Sequence, residues 1–430
     1  MTALSTVLAA IALFLFVMGI ATFGAMLKGC LVLRRLARRT PSLDAALLLK
    51  SPLVPAVSVI AIFPDVSPES RDFVRRLLSL QFGNLEVVVA LDGPSDTGLA
   101  TWIEEFHLSP SARVSGVYES RDPLRFLVVD AGVDAGPAGA LNAAVSAASA
   151  PIIGLVGPEC EFDSTLLLNL IRPMLEDPER TIAVCGVMPP PPGSARWTEY
   201  FGAIESLRSW LARCAAFAGW DLLVPVPGAS MLVRRDAIRS VGGFRGGPLE
   251  LFLDLHALSR AGGNSGIAFV AESASYARVP RSWADLRRRA SQDQAQIACA
   301  LRRRGTAGIW AIGWGLPAIF LVRWVRPLLE TAALALLAAG WVMGRIDPAL
   351  AGLVLLCTVG MEISLSMAAV VLRELATFRG SDPAALAGRF VAAIPENLGY
   401  RQVRNLWLIF DFLTVPASAC QRPAPRPASR

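Results

Sequence analysis

The sequence predicts an α/β domain built on a parallel sheet, combined with transmembrane α-helices. Two observations predict it. The first is hydropathy: 53% of the 430 residues are hydrophobic and only 18% are charged. A mean hydropathy of +0.49 is too high for an ordinary soluble protein of this length. The second is period. Between Val54 and about Ala300, short unbroken apolar runs alternate with amphipathic stretches, the pattern of buried parallel strands separated by covering helices.

The membrane segments come first in chain order. Met1 to Leu27 carries no charge and is rich in Ala, Leu and Phe. That satisfies the roughly 20 apolar residues a bilayer crossing needs. A signal peptide would place basic residues before the apolar run and a small-residue cleavage site after it. Here Lys28, Arg34, Arg35, Arg38 and Arg39 come after. The positive-inside rule therefore predicts an uncleaved anchor over residues 1–27, with its N-terminus outside and the following domain in the cytoplasm. Residues 28–53 read as a basic cytoplasmic linker.

Two more crossings are predicted within residues 327–372. They run from about Pro327 to Met343 and from about Pro348 to Leu372, joined by the tight loop Gly344–Asp347. Arg302, Arg303, Arg304, Arg323, Arg326 and Arg373 flank their cytoplasmic side, so all three crossings agree with one topology. Glu330 reads as interfacial. Glu362 is the intramembrane acid that merits testing, because charge in a bilayer is costly and often functional. Residues 306–326 and 373–415 alternate apolar residues and Trp with Arg and Gly, as interfacial amphipathic helices do. The Pro/Ala/Arg-rich tail 416–430 is expected to be disordered.

Composition excludes several function classes. The seven cysteines are scattered, with no CxxC pair and no metal-ligand spacing, and read as structural thiols in a reducing compartment. His107 and His256 are the only histidines and lie far apart. The net charge of +6 is carried by arginine, Lys28 and Lys50 being the only lysines. The basic clusters have no interleaved aromatics and adjoin membrane segments, so nucleic acid is not an expected partner; the lipid bilayer is.

The middle of the chain, residues 54–305, supplies the α/β domain. "AVSVIAIF" (Ala56–Phe63) is a buried strand, Arg71–Leu80 an amphipathic helix and "LEVVVAL" (Leu85–Leu91) the next strand. "LRFLVVD", a helix at Ala138–Ala148, "PIIGLVG", a helix at Leu166–Leu175 and "TIAVCGV" follow. Ligands of such sheets bind beyond the C-terminal strand ends. That edge would hold "LDGPSD" and "GPECEFD". The Gly-rich helix start "GPAGALN", from Gly136 to Asn142, offers N–H groups that could receive phosphate.

Taken together, "VSVIAIF", "NLEVVVALDG", "GPAGALNAAV", "RPMLEDP", "VPGASMLVRRDAIRSVGGF", "LELFLDLHAL" and "ENLGYRQVRNLW" resemble the membrane-anchored, processive-type bacterial glycosyltransferases of family 2. The likeness runs from about Val54 to Trp407. It implies a Rossmann-like GT-A domain, the nucleotide-diphospho-sugar transferase fold, between one N-terminal and several C-terminal membrane helices. It also implies a place in the bacterial inner membrane and in envelope or exopolysaccharide assembly.

Such enzymes need a divalent metal with oxygen ligands for the leaving diphosphate. They also need a carboxylate to deprotonate the acceptor and cations to help the diphosphate depart. By the resemblance, Asp65, Asp92, Gly93, Gly136 and Asn142 fall at nucleotide-binding positions and Glu159 at the metal position. Glu250 and Asp254 are the carboxylates that could act as base. Arg287, Arg288 and Arg289 fall near the diphosphate, or contact lipid headgroups.

The sequence departs from the family pattern at most of these points. Leu91 stands where a second polar residue is usual, and Pro137 where a lysine is. Gly157-Pro158-Glu159 replaces Asp-x-Asp, and Gly247-Pro248 aligns with the position of the catalytic aspartate. Arg289 to Asp293 covers the Gln-x-x-Arg-Trp position without its Gln, Arg or Trp. The first expectation is therefore a catalytically degenerate protein serving as partner or scaffold to another polysaccharide-synthesis or glycosyltransferase subunit. The alternative is an active, divergent inverting enzyme that takes a sugar from a UDP-sugar to a membrane-associated acceptor. No cofactor is assigned outright; Mg²⁺ or Mn²⁺ enters only with the active alternative.

Overall fold

A computed structural model describes residues 3–39, 54–64, 66–93, 96–111, 114–120, 125–132, 135–189, 196–226, 228–262, 266–311, 313–377 and 383–414. Among them the chain forms two units. One comprises residues 54–188 and 223–278, the other residues 3–38, 189–222 and 279–414.

The first unit is built on a nine-stranded sheet. In chain order its strands are β1 (Val57–Phe63), β2 (Leu85–Leu91), β3 (Ser109–Pro110), β4 (Val117–Ser120), β5 (Arg125–Asp130) and β6 (Ile152–Leu155). β7 (Cys160–Phe162) lies outside this sheet, and β8 (Thr181–Gly186), β9 (Ser230–Arg234) and β10 (Gly266–Val270) complete it. β11 (Ser275–Ala277) pairs antiparallel with β7. The spatial order is β10-β8-β9-β6-β1-β2-β5-β4-β3. β6, β1, β2 and β5 run parallel at the centre, and β9 is inserted antiparallel between β6 and β8.

The central strands are apolar along their whole length because both faces are covered. Every residue of β2 is buried, and six of seven in β1. The helix Pro68–Leu78 covers them with Phe73, Val74 and Leu77, spaced three to four apart as one helical face requires. Ser67 caps that helix: its hydroxyl accepts from the Ser70 amide while Ser70 Oγ accepts from the Ser67 amide. Phe63, Phe73, Trp102, Phe106 and Phe126 form a chain of edge-on and tilted rings within this core.

One charge is buried at the N-terminal end of the sheet. Glu86 accepts from the Ser149 amide at 2.8 Å and the Ser149 hydroxyl at 3.0 Å, pairs with Arg125 Nη1 at 2.9 Å and also bonds Ser58. It joins the beginnings of β1, β2 and β5, at the end of the sheet opposite to the one expected to bind ligand.

The second unit is helical. Three of its helices, Ala3–Arg38, Pro317–Val342 and Pro348–Ala376, are long and apolar enough to cross a membrane. Leu8, Ala12, Ala333, Leu337, Ile346, Ala351, Val354 and Cys357 form their shared core. Small residues permit the close approaches: a Cβ at Gly340 would sit 2.3 Å from Ile346 Cδ1 and 2.9 Å from Leu4 Cδ2. Among the described residues, wider π turns interrupt helices of this unit at Trp210–Ala215, Leu321–Val325, Leu356–Gly360 and Glu396–Tyr400, the second and third of them inside membrane-length helices. Such turns are rare and often mark functional sites.

Candidate functional site

At the C-terminal edge of the sheet β1, β2 and β5 end level, while β6 stops three residues short of the end of β1. The Asp92 amide donates to Phe63 O (2.9 Å), the Ala131 amide to Leu91 O (3.1 Å) and the Val156 amide to Ile60 O (3.2 Å). Backbone pairing thus brings the residues after β1, β2, β5 and β6 to one rim. Asp92 and Glu159 lie on it, one beyond β2 and the other beyond β6, with β1 between. Gly93 has φ +75°, a left-handed turn that glycine adopts at no steric cost. Asp130 is turned into its own loop, where Oδ1 accepts from the Gly132 amide at 2.9 Å. Asp65 lies outside the described residues.

The helix Gly136–Ala147 starts at the same edge. Gly136 has φ +63°, and Ala135 provides no side-chain cap. Asn142 on this helix is engaged elsewhere. Its Nδ2 donates to Phe244 O and its Oδ1 accepts from the Phe244 amide, each at 2.8 Å. The amide therefore pins a loop 102 positions away. Gly243 has φ +80°, and a Cβ there would stand 2.6 Å from Asn142 Oδ1.

The turn after β6 carries the metal question. Glu159 is exposed, and its carboxylate folds back over Gly157. A Cβ on Gly157 would lie 2.6 Å from Glu159 Oε1 and 2.7 Å from Oε2. The glutamate thus occupies the space that a side chain at 157 would fill. Cys160 is buried beside Ser230 Oγ at 3.2 Å. Burial pushes its thiol up to about 12, against a lowering by that hydrogen bond, so it is a protonated thiol at neutral pH. Glu161 lies in β7, opposite Tyr276 of β11, and Asp163 is exposed. Among the described residues, no three His, Cys, Asp or Glu side chains are grouped closely enough to hold a metal. A hard divalent cation takes six or more oxygens. One exposed glutamate does not supply a protein site for it.

Glu250 and Asp254 lie on the helix Pro248–Gly262, four apart and so on one face. Glu250 is 7% exposed, and Asp254 is half-buried. His256, two residues beyond Asp254, is buried and faces Leu223 O through Nε2 at 2.6 Å. A carbonyl only accepts, so that nitrogen carries the proton.

The remaining predicted residues lie in the helical unit. Arg287 and Arg288 are exposed, and Arg289 donates to Ser206 Oγ at 3.1 Å. Sequence reasoning missed what lies around them. Glu330 accepts from Arg401 Nε at 3.1 Å, Arg401 Nη2 at 2.8 Å, Arg326 Nε at 3.1 Å and Asn405 Nδ2 at 2.8 Å. Glu362 pairs with Arg208 Nη2 at 2.6 Å and also with Arg326 and Arg401. Glu396 and Asn397 join through Ser366, whose hydroxyl donates to Glu396 Oε2 at 2.7 Å. Asp293 accepts from Arg213 Nη1 at 3.2 and 3.1 Å and pairs with Arg323.

Glu205 receives Arg404 Nη1 at 3.0 Å and the Tyr400 hydroxyl at 3.1 Å. Burial pushes its carboxyl up, but the guanidinia of Arg404, Arg323 and Arg289 outweigh that and hold it at about 2. The one available signal was "ENLGYRQVRNLW", whose Glu396, Asn397, Tyr400, Arg401, Arg404 and Asn405 all enter this network.

Known proteins share this architecture. Residues 58–242 match the family described as Glycosyl transferase family 2. The chain is similar in fold to the mannosyltransferase PcManGT from Pyrobaculum calidifontis, solved in complex with GDP-Man and Mn²⁺. The identity is 20%, the match covers 91% of this chain and 99% of that chain, and the TM-score is 0.53. It also matches glucosyl-3-phosphoglycerate synthase from Mycobacterium tuberculosis, solved with Mn²⁺, UDP and phosphoglyceric acid. That match has 17% identity, covers 61% of this chain and 84% of that chain, and has a TM-score of 0.38. No curated protein matches in sequence.

Proposed function

We propose, from the premise that this chain carries a glycosyl transferase family 2 domain of GT-A fold beside helices able to cross a membrane, that it no longer transfers sugar. It serves instead as a membrane-held partner or scaffold for an active transferase or polysaccharide-synthesis subunit in the bacterial inner membrane. The sheet unit faces the cytoplasm, on the side of Arg34, Arg35, Arg38 and Arg39.

The observation that carries this reading is the turn after β6. It presents one carboxylate, Glu159, folded over Gly157. A departing nucleoside diphosphate develops charge that must be met by fixed groups. Losing a single such group costs about 2.7–4 kcal/mol of transition-state stabilisation. Pro137 has neither a cation nor an N–H for phosphate. Pro248 begins its helix where a base would be needed. These losses fall on the metal, diphosphate and base contacts together, leaving little for catalysis.

The test is donor turnover by the full chain in detergent, with UDP-sugars and with GDP-Man, the ligand seen in the Pyrobaculum enzyme, with and without Mn²⁺ or Mg²⁺. Release of nucleoside diphosphate at the no-protein rate is expected, together with co-purification of an active synthesis subunit in gentle detergent. Metal-dependent turnover abolished by Glu159→Gln would sink this reading.

One observation favours the active alternative, a divergent inverting transferase using a UDP-sugar and Mg²⁺ or Mn²⁺. Glu250 is buried in the first turn of its helix, with Asp254 one turn on. Sugar transfer that disappears in Glu250→Gln or Asp254→Asn would establish it.

A further inference from the structure

The helical unit contains a cavity of about 420 Å³, within the usual range for small-molecule sites. Its lining combines two kinds of residue. Arg208, Arg213, Arg323, Arg326, Arg401 and Arg404 line it. Met18, Ala21 and Ala25 of the first membrane-length helix line it as well. They are spaced three and four apart and so share one helical face. The rings of Phe217, Trp220 and Trp314 also line the cavity and contact one another, with centroids 4.8 to 6.1 Å apart.

The arginines hold more charge than their partners neutralise. The six guanidinia meet the carboxylates of Glu205, Asp293, Glu330, Glu362 and Glu396. Among the described residues, six against five leaves one positive charge in excess, and Arg289, whose guanidinium also acts on Glu205, adds to it. Unsatisfied donors point the same way: Arg213 Nε and Nη2 and Arg404 Nε are buried with no hydrogen-bond partner among the described residues. Buried donors without acceptors are costly, and a guanidinium cluster fits phosphate oxygens in pairs.

From this juxtaposition we propose that the cavity binds an anionic amphiphile bearing a phosphate monoester. The phosphate sits among Arg213, Arg404 and their neighbours, and the hydrocarbon chain runs along Met18, Ala21 and Ala25. A phosphate accepts the three unfilled donors and neutralises the excess charge. The alanine face leaves room for an alkyl chain, and the first helix leads it towards the bilayer. The assignment does not depend on whether the sheet unit is catalytic. It gives the "ENLGYRQVRNLW" segment a ligand-binding role, because Glu396, Arg401 and Arg404 of that segment line the cavity.

The test uses the full chain in a neutral detergent and reads the fluorescence of its tryptophans, of which Trp220 and Trp314 line the cavity. Farnesyl phosphate, farnesol and inorganic phosphate are titrated separately. Saturable quenching by farnesyl phosphate is expected, with affinity at least tenfold above that for farnesol and for inorganic phosphate. Arg213→Gln should weaken farnesyl phosphate at least tenfold. Ala21→Leu, which fills the apolar lining and leaves every guanidinium in place, should weaken it severalfold. Equal affinity for farnesol would show that the arginines read no phosphate and would overturn the proposal. Equal affinity for inorganic phosphate would assign the site to a soluble anion and overturn the amphiphile. The three ligands are compared on the unaltered chain, so the result stands even if a variant fails to fold.

Discussion

Arg401 grips Glu330 at both oxygens, Nε to Oε2 at 3.1 Å and Nη2 to Oε1 at 2.8 Å, across 71 positions of chain. Both residues are buried. Removing one partner unbalances a buried charge that keeps only its remaining neighbours, Arg326 and Asn405 for Glu330 and Glu362 for Arg401, and breaking a buried pair typically costs about 3–5 kcal/mol. Replacing both by apolar residues of similar volume costs far less. Glu330→Leu and Arg401→Met should therefore each lower the melting temperature in detergent markedly. The double variant should lie well above the sum of the two losses. A double variant no better than additive would mean that the pair is not coupled.

Glu205 links the network to acid. Its carboxyl is held at about 2 in the folded chain against an ordinary 4.5. A depressed pKa contributes stability that is present above the unfolded value and is lost as pH falls through the folded one. The melting temperature should thus hold above about pH 4.5 and fall steadily between there and about pH 2. In Glu205→Gln that fall should be shallower, and the starting value lower. Parallel curves for the two proteins would remove Glu205 from the account.

Gly157 and Glu159 offer a gain-of-function test. Gly157→Asp would put a second carboxylate in the space that the Glu159 side chain occupies, and Glu159 is exposed and free to swing away. Two carboxylates are then available at the turn, as a hard divalent cation prefers. Calorimetric titration should show Mn²⁺-dependent UDP binding in the variant that is at least tenfold tighter than in the parent chain. Unchanged binding would mean that the turn alone does not limit nucleotide capture.

Asn142 predicts a loss confined to stability. Its two hydrogen bonds to the Phe244 backbone fix the glycine loop before it. Asn142→Ala leaves a backbone donor and a backbone acceptor without partners, worth about 1–3 kcal/mol. Asn142→Asp keeps the acceptor and should fall between. Urea denaturation of the full chain, followed by far-ultraviolet dichroism, would read the order. A more stable alanine variant would contradict it.

How much of this was legible depends on the range of each interaction. β1, β2, β5, β6 and β8 are visible in the sequence as unbroken apolar runs, because a strand covered on both faces writes its burial locally. The membrane-length helices are legible for the same reason. β9 is harder to see. Its five residues end in Arg234, and only pairing with β6 and β8 makes them a strand.

The charged network left almost no trace. A polar stripe on an amphipathic helix reads as a face turned to water. The stripe containing Glu396, Arg401 and Asn405 is instead buried against the acids and arginines of distant segments. The partners of Glu205, Arg208 and Asp293 lie tens to hundreds of positions away, where no periodicity can report them. At the sheet edge the chemistry-bearing positions were nameable one at a time. The return of Glu159 onto Gly157 depends on a side-chain conformation that spacing does not encode.

The π turns have a consequence for how this chain tolerates change. A residue added to or taken from a helix rotates everything beyond it by about 100°. Arg401, Arg404 and Asn405 follow directly on the wide turn Glu396–Tyr400, and Glu362 follows on Leu356–Gly360. Deleting one residue from either turn would leave composition and hydropathy almost untouched. It would also swing these side chains a quarter of the way around the helix, away from every partner at once. For this part of the molecule the count of residues between charges matters more than their composition, so a single-codon deletion is a graver lesion here than most substitutions.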